Sequence, residues 1–157
     1  MRGTAIRKLA VVAVLVGLLG GLVTTSASAG TYGGKYRDRG QLLKATNASR
    51  QYRHLRRLDL QSELSRLARK HSKRMADAGT LFHTKSPVSY YLRGRSWSWW
   101  GENVGFTSGS VRDVHKEFMR SPTHRSNILR GAFRRVAIGT FRDDHGVLYV
   151  TVFFYAP

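Results

Sequence analysis

The sequence predicts one α+β domain, in which helices come first and an antiparallel β-hairpin closes the chain. Residues 41–57 have a helix-forming composition, and apolar residues recur at three- and four-residue spacing between residues 60 and 75, which is typical of an amphipathic helix. Two segments rich in Val, Ile, Phe and Tyr end the chain on either side of a turn sequence, as in a hairpin. The length of 157 residues and the hydrophobic content of 41% suit a single core. Helices followed by a terminal hairpin give an α+β layering.

The N-terminus has the order of a secretory signal peptide. Three basic residues lie within the first eight, residues 9–23 are apolar apart from glycines, and residues 27–29 read Ala-Ser-Ala, which is a small-residue cleavage pattern. The competing interpretation is an uncleaved membrane anchor, but the apolar run of about 15 residues is shorter than the ~20 that a span needs. We expect cleavage after residue 29, and a mature protein that is extracellular or associated with the cell envelope.

Residues 30–40 contain Gly33, Gly34 and several basic residues but little that is apolar. This composition predicts a flexible basic tether. The folded domain is therefore expected to run from residue 41 to residue 157.

Charge is the strongest compositional signal, with 27 Lys and Arg against 9 Asp and Glu, a net charge of +18. Removing the three basic residues of the signal peptide leaves 24 against 9, or +15. A secreted protein with this charge meets anionic envelope polymers or anionic lipid before it meets nucleic acid, so we expect no nucleic-acid partner. The chain has no cysteine, which excludes disulfide scaffolds, thiol catalysis and zinc–thiolate sites.

The first helix is predicted from residue 41 to about residue 57. Leu43, Asn47, Arg50 and His54 fall on one of its faces. A face that mixes leucine with polar residues predicts that the polar groups bond to neighbouring backbone instead of facing water.

A second helix is predicted from Gln61 to Ala78, with Gly79 as its stop signal. His71 lies within its apolar stripe, and a core histidine with a hydrogen-bonded partner is the expected role there. The stripe consists of Leu60, Leu64, Leu67, Ala68, His71 and Met75.

Residues 86–98 read as a long surface loop that leads into Trp99 and Trp100. Aromatic residues beside arginines can line a groove for sugar rings or lipid. The alternative, which we favour from the sequence, is that the tryptophans fill the core beside Glu102.

A third helix is predicted to begin at the N-cap Ser110 and to point Val111, Val114 and Phe118 inward. Ser121 and the following proline end it, and residues 124–129 form a further helical turn. Strands are then predicted over residues 135–142 and 147–155, with a hairpin turn at residues 143–146.

Short motifs along the chain resemble the CAP superfamily, also called SCP-like, which groups cysteine-rich secretory proteins, antigen 5 and plant pathogenesis-related 1 proteins with many bacterial members. The most specific are Gly-Glu-Asn at residues 101–103 and Ser-Pro-Thr-His-Arg-Ser-Asn-Ile-Leu at residues 121–129, preceded by His83-Thr84. The resemblance covers residue 41 to the end and is of the bacterial type. It implies a three-layer α-β-α sandwich around an antiparallel sheet, with a first strand near residues 103–106.

For the site, the resemblance implies a cleft that holds two histidines and two acids. His83, Glu102 and His124 match three of these positions, and the fourth falls on Ser121. In many members this fourth acid follows a tryptophan by three residues. At the position of that tryptophan this chain has Phe118.

Glu117 is a candidate for the missing acid, because it lies four residues before Ser121 and so on nearly the same helical face. His83, Glu102, His124 and Glu117 are thus the candidate cleft residues.

Two imidazoles and one carboxylate are the ligand set of an open zinc site, and the family has been associated with divalent metals in this cleft. A weak zinc site at His83, Glu102 and His124 is therefore one hypothesis. The other, which we favour, is that these side chains hydrogen-bond one another and the surrounding loops without a metal.

A binding module for an anionic wall polymer or for lipid is the function that we favour, and lipid or sterol binding by some eukaryotic relatives points to the second ligand. We expect a monomer. The alternative is a metal-dependent hydrolase with Glu117 or Glu102 as the base. No His-Glu-x-x-His sequence supports it, and no nucleophile elbow surrounds Ser121, so we lean away from an enzyme.

Overall fold

The computed structural model describes residues 31–157, with side chains from residue 36 onward; the predicted signal peptide lies outside the described residues. Within this range no helix is long and apolar enough to cross a membrane. The elements, in chain order, are α1 Thr31–Tyr52, β1 Asp59–Leu60, α2 Ser62–Asp77, α3 Pro87–Tyr91, β2 Trp99–Thr107, α4 Val111–Arg120, α5 Pro122–Ile128, β3 Arg135–Arg142 and β4 Leu148–Ala156.

The sheet has four strands in the order β1-β3-β4-β2. β3 and β4 form the predicted hairpin, and Gly146 takes a φ of 78° in its turn, where glycine adopts the left-handed region without strain. β2 lies antiparallel to β4 and is longer than the four residues expected. β1 is a two-residue strand parallel to β3 that the sequence did not predict.

Helices cover both faces of the sheet. Successive side chains of a strand point to opposite faces, and every residue of β4 is buried, so both faces must be covered. On one face, α2 brings Leu64 and Ala68 against Ala137 and Phe153. The opposite face meets α1, α4 and α5 in the main core cluster. The arrangement confirms the α+β class and the three-layer α-β-α sandwich.

α1 begins earlier than expected, since residues 31–40 are helical. This corrects the expectation of a flexible tether over residues 30–40. Side-chain contact holds the segment to the sheet, because the Asp38 carboxylate lies 3.4 Å from the Arg142 guanidinium. The helix ends at Tyr52, and His54 follows with a φ of 56°, which is incompatible with the expected continuation to residue 57.

The polar face of α1 bonds to backbone, as predicted. Asn47 donates through Nδ2 to the Leu58 carbonyl at 3.1 Å and accepts from the Leu58 amide at 2.8 Å. The Arg50 guanidinium donates to carbonyls of the segment that follows α1, of the last residue of α5 and of the segment that follows α5. These two buried side chains connect α1 to both segments.

α4 and α5 begin and end as predicted, apart from a slightly earlier start of α5. The Asp113 carboxylate accepts hydrogen bonds from the Ser110 amide at 2.9 Å and the Ser110 hydroxyl at 2.7 Å, which stabilises the first turn of α4. Val111, Val114 and Phe118 are buried. Pro122 separates α4 from α5.

Residues 86–98 differ from the expected loop in two respects. Residues 87–91 form the short helix α3 and bury Tyr91. The exposed fractions of Trp97, Trp99 and Trp100 are 42%, 56% and 40%, so the interpretation that the tryptophans fill the core is wrong. β2 is an edge strand, and the inner position beside Glu102 is taken by Tyr91 and Phe153, whose rings stack 4.1 Å apart.

Candidate functional site

The site is organised around a buried carboxylate on β2. Alternation along the strand turns Glu102 toward the face that α2 covers, and its side chain is only 2% exposed. His83, in the segment that follows α2, places its Nδ1 atom 2.9 Å from Glu102 Oε2, while its own side chain is 56% exposed. The structure therefore brings together two of the predicted cleft residues.

His83 is not the only hydrogen-bond donor to Glu102 among the described residues. Thr84 donates its backbone N–H to Oε2 at 2.9 Å and its hydroxyl to Oε1 at 2.7 Å, and the Tyr91 hydroxyl lies 3.5 Å from Oε1. Burial opposes the charged form of the carboxylate, but the hydrogen bonds from His83 and Thr84 outweigh it, so the pKa of Glu102 is lowered. The carboxylate is an ionised, immobilised anchor for the His83 segment.

The tautomer of His83 follows from this partner. A carboxylate accepts hydrogen bonds, so Nδ1 must carry the proton that is donated to Glu102. Nε2 is then the free ring nitrogen, on a side chain that is more than half exposed, and it accepts a hydrogen bond in the neutral imidazole or donates one in the imidazolium. An imidazole oriented in this way can form a hydrogen bond with a ligand through Nε2.

His71 lies beside this pair but is fully engaged. Its Nε2 donates to the Phe82 carbonyl at 2.9 Å, and its Nδ1 accepts from Arg74 Nη2 at 3.0 Å. Burial is the main reason that the pKa of His71 is lowered. Both ring nitrogens are satisfied in the neutral form, which confirms the predicted core histidine with hydrogen-bonded partners.

His124 comes from α5, on the opposite side of β2 from α2. Its ring lies 5.0 Å from the Phe118 ring, and its backbone carbonyl accepts from Asn103 Nδ2 at 3.0 Å. Burial, followed by the charge of His83, lowers the pKa of His124. The charge of His83 thus acts on His124, although only His83 bonds to Glu102.

The two signature motifs are joined by their asparagines. Asn127 donates to Asn103 Oδ1 at 2.9 Å and packs over Gly101, where a Cβ atom would lie 2.6 Å from Asn127 Oδ1. Asn103 in turn holds the backbone of His124. The Gly-Glu-Asn and His-Arg-Ser-Asn sequences therefore fasten α5 to β2, which is a structural task.

Glu117 does not replace the missing acid. Its side chain is 68% exposed and pairs with Arg120 at 2.6 Å on the outer side of α4. The helix turns Val114 and Phe118 inward, so the adjacent Glu117 faces solvent. The hypothesis that Glu117 leans into the cleft is wrong, and Ser121 adds no carboxylate.

The described residues contain no group of three or more His, Cys, Asp or Glu side chains placed to hold a metal ion. The chemistry of the donors gives the reason. Glu102 already accepts three hydrogen bonds of 2.7–2.9 Å from His83 and Thr84, which occupy much of the acceptor capacity of a carboxylate. In this arrangement His83, Glu102 and His124 do not fit a three-ligand zinc site, and zinc binding stays a prediction.

A cavity of about 410 Å³ opens beside His83, between α2 and α3. We call it the cleft cavity. Its cationic side chains are Arg74, Lys85 and Arg93, and no acidic residue lines it. Arg74 is fixed by His71 at 3.0 Å and lies 5.0 Å over the Tyr90 ring. The volume suits a small ligand or one unit of a polymer, and the lining favours an anion.

Three site residues had no role predicted from the sequence: Thr84, Tyr91 and Arg74. Thr84 follows His83 directly, and a hydroxyl next to a candidate histidine was the available signal. Tyr91 and Arg74 had no comparable signal, because their roles depend on how α2, α3 and β2 meet.

We predict that Glu102→Gln costs about 2–4 kcal/mol of folding free energy at neutral pH, because an amide cannot accept from all the donors that the buried carboxylate serves. The pKa of Glu102 is lowered in the folded state. Its contribution is therefore present above the unfolded value of about 4.3 and is lost as pH falls through the lower folded value. Denaturant unfolding of both proteins between pH 7 and pH 2.5 should show the difference shrinking in acid.

Glu117→Gln is the control, since an exposed pair contributes within about 1 kcal/mol at any pH. A constant difference between Glu102→Gln and the unmodified protein across the pH range would contradict the ionised anchor.

Comparison with known proteins matches residues 43–155 to the CAP family, described as the cysteine-rich secretory protein family. The uncharacterized protein YkwD of Bacillus subtilis is 32% identical over 104 residues, which cover 63% of this chain and 40% of YkwD. The chain thus spans less than half the length of this curated relative.

Solved structures show the same fold. An extracellular protein of Bacillus anthracis with an SCP domain has a TM-score of 0.68 at 20% identity, covering 78% of this chain and 41% of its own. An outer surface protein of Borrelia burgdorferi has a TM-score of 0.69 at 15% identity, covering 76% of this chain and 92% of its own.

Proposed function

The chain belongs to the CAP family, and from this premise we propose that it is a secreted binding module for an anionic polymer of the cell envelope. The cleft cavity carries the proposal, because three cationic side chains line it and no acidic residue does. Export is supported by the signal-peptide pattern of the first 29 residues. The two solved relatives are described as extracellular and outer-surface proteins, which agrees with this location.

The charge balance supports an anionic ligand. All nine acidic residues lie within residues 31–157, and six Lys or Arg side chains pair with them within 4.0 Å in the part of the chain whose side chains are described. Residues 31–157 hold 24 Lys and Arg, so most of the cationic side chains that the structure describes form no ion pair with a carboxylate. Free cations on a secreted surface favour contact with polyanions.

The cations of the cleft cavity belong to the unpaired group. Lys85 and Arg93 are exposed and form no ion pair with a carboxylate of the described residues. Arg74 is held by a neutral histidine and an aromatic ring, which leaves its charge uncompensated. A guanidinium fixed in this way is ready to donate to phosphate or carboxylate oxygens.

Binding is favoured over the alternative of a metal-dependent hydrolase. Glu102 already accepts hydrogen bonds from His83 and Thr84, and Glu117 is exposed and paired with Arg120. His83 lines the cleft cavity and has its Nδ1 atom fixed on Glu102, which supports a role in positioning a ligand.

The test is co-sedimentation of the protein with purified cell wall, before and after extraction of its anionic polymers, across a salt series. We expect retention at low salt, loss with rising salt as the charges are screened, and loss after extraction. Anionic liposomes at equal phosphate form the comparison. Stronger retention on liposomes would point to lipid and overturn the choice of polymer, and equal retention on extracted wall would overturn the electrostatic argument.

The variant Lys85→Gln/Arg93→Gln locates the contact. Each cation near an anionic surface contributes about 1 kcal/mol, so the pair should weaken retention roughly ten- to thirty-fold. Lys44→Gln/Arg112→Gln is the matched control, because both residues are exposed on α1 and α4 and the same charge is removed. Equal losses in the two variants would mean that net charge, and not the cleft cavity, determines binding.

A further inference from the structure

A second basic cavity lies on the other flank of α2. Its volume is about 300 Å³, and it is formed where α1, α2 and β3 meet. We call it the helix cavity. Its cations are Arg39, Arg66 and Arg69, and like the cleft cavity it is lined by no acidic residue.

The three arginines of the helix cavity have no carboxylate partner among the described residues. Arg69 donates to the Thr140 carbonyl at 2.8 Å and lies 5.0 Å over the Phe141 ring. Arg39 lies 5.0 Å over the Tyr36 ring, and Arg66 is exposed. Two of the guanidinium groups are thus held in place while their charges stay uncompensated.

The acids closest to these cavities in sequence are already engaged. Asp38 pairs with Arg142 at 3.4 Å, Glu63 with Arg95 at 2.5 Å and Asp77 with Lys73 at 2.7 Å. None of these three carboxylates therefore forms an ion pair with a cation that lines either cavity.

The outer face of α2 connects the two cavities. Arg66 lines the helix cavity, Arg74 lines the cleft cavity, and Lys70 is exposed between them. Eight residues separate Arg66 from Arg74, which is about 12 Å along a helix that rises 1.5 Å per residue. A single phosphate group cannot reach both cavities, whereas a chain of several phosphate units can.

We propose that the helix cavity is a second anionic subsite, and that one linear polymer with recurring phosphate groups crosses α2 and occupies both cavities. This rests on the proposed function, to which it adds the ligand class and the bivalent mode. Arginine suits the ligand because its planar guanidinium donates two parallel hydrogen bonds to phosphate. Linking two weak subsites through one chain raises the effective concentration at the second.

Calorimetric titration with glycerol phosphate chains of increasing length tests the proposal. We expect affinity per phosphate to rise about tenfold or more once a chain is long enough to span ~12 Å, and to level off beyond that length. Arg39→Gln/Arg66→Gln should remove this gain for long chains and reduce short-chain binding at most about twofold, the statistical loss of one of two sites. Lys44→Gln/Arg112→Gln should retain the gain.

The outcomes separate this inference from the proposed function. If the protein binds no chain of any length, both fail. If it binds chains but affinity per phosphate is independent of length, or if the two double variants lose the gain equally, the second subsite is wrong and the proposed function stands. Vesicles of phosphatidylglycerol carry the same phosphate diester at a lipid surface. If Arg39→Gln/Arg66→Gln weakened binding to these vesicles but not to long soluble chains, the assignment to a polymer would be overturned.

Discussion

The Arg50→Met variant is expected to lose about 4 kcal/mol of folding free energy. Arg50 is fully buried on α1 and donates to four carbonyls, those of Arg56 at 2.8 Å, Ile128 at 2.8 Å, Arg130 at 2.9 Å and Phe133 at 3.1 Å. Methionine fills similar space but donates nothing, so the carbonyls lose their partner, and each one that stays buried costs about 1–3 kcal/mol.

This arginine has an unusual compensation for its charge. Burial, and to a lesser extent the charge of Arg134, lowers the pKa of Arg50, but a guanidinium stays protonated near neutral pH. Carbonyl oxygens, and not a carboxylate, surround it. It therefore joins the segment after α1 to the segment after α5, and its loss should also loosen the attachment of α5.

Urea unfolding at pH 7 measures the effect, with Arg53→Met as the matched control. Arg53 is exposed near the end of the same helix and should change stability by less than about 0.5 kcal/mol. A loss below 1 kcal/mol in Arg50→Met would show that water can replace the guanidinium, and would contradict the role assigned to it.

Gly139→Ala is expected to have an effect of similar size, through the packing of α2 on the sheet. A Cβ atom at residue 139 would overlap the backbone of Ala68 and Arg69. Backbone cannot move aside as a flexible side chain can, so α2 must lift from β3. Overpacking commonly costs 1–3 kcal/mol, and we expect about 3 kcal/mol or more here, together with loss of the hydrogen bond from the Ser72 hydroxyl to the Gly139 carbonyl at 3.1 Å.

Gly131→Ala is the control, because its Cβ atom would meet only Leu55 Cδ2 at 3.8 Å, an ordinary contact. Thermal unfolding of both variants decides the point. A Gly139→Ala protein as stable as Gly131→Ala would mean that α2 is less tightly seated than the structure implies.

The fold was predictable from the sequence where the apolar pattern is strong. α2 and the β3–β4 hairpin follow from periodicity and turn residues alone. The start of α1 could not be predicted in this way, because residues 31–40 have little apolar content. This part of the helix is held by tertiary contacts, such as that of Asp38 with Arg142. β1 has two residues, too few to carry any alternation.

The candidate site was predictable in part, for a similar reason. His83 and Glu102 were found through short motifs, and the structure places them in contact. Glu117 was misassigned, because spacing along a helix gives an angle but not which side faces the cleft, and Arg120 draws this side chain outward. The donors Thr84 and Tyr91 depend on three elements meeting around one carboxylate, which no local pattern encodes.

The exposed tryptophans in and just before the edge strand β2 have a practical consequence. The chain contains three tryptophans in all, and Trp97, Trp99 and Trp100 are all exposed within one short stretch. Trp100 stacks 6.2 Å from Phe153, which in turn stacks on Tyr91, and Tyr91 reaches Glu102. Of the three indoles, that of Trp100 is therefore connected to the buried carboxylate through ring contacts, so the emission of the unmodified protein includes an optical reporter of that site.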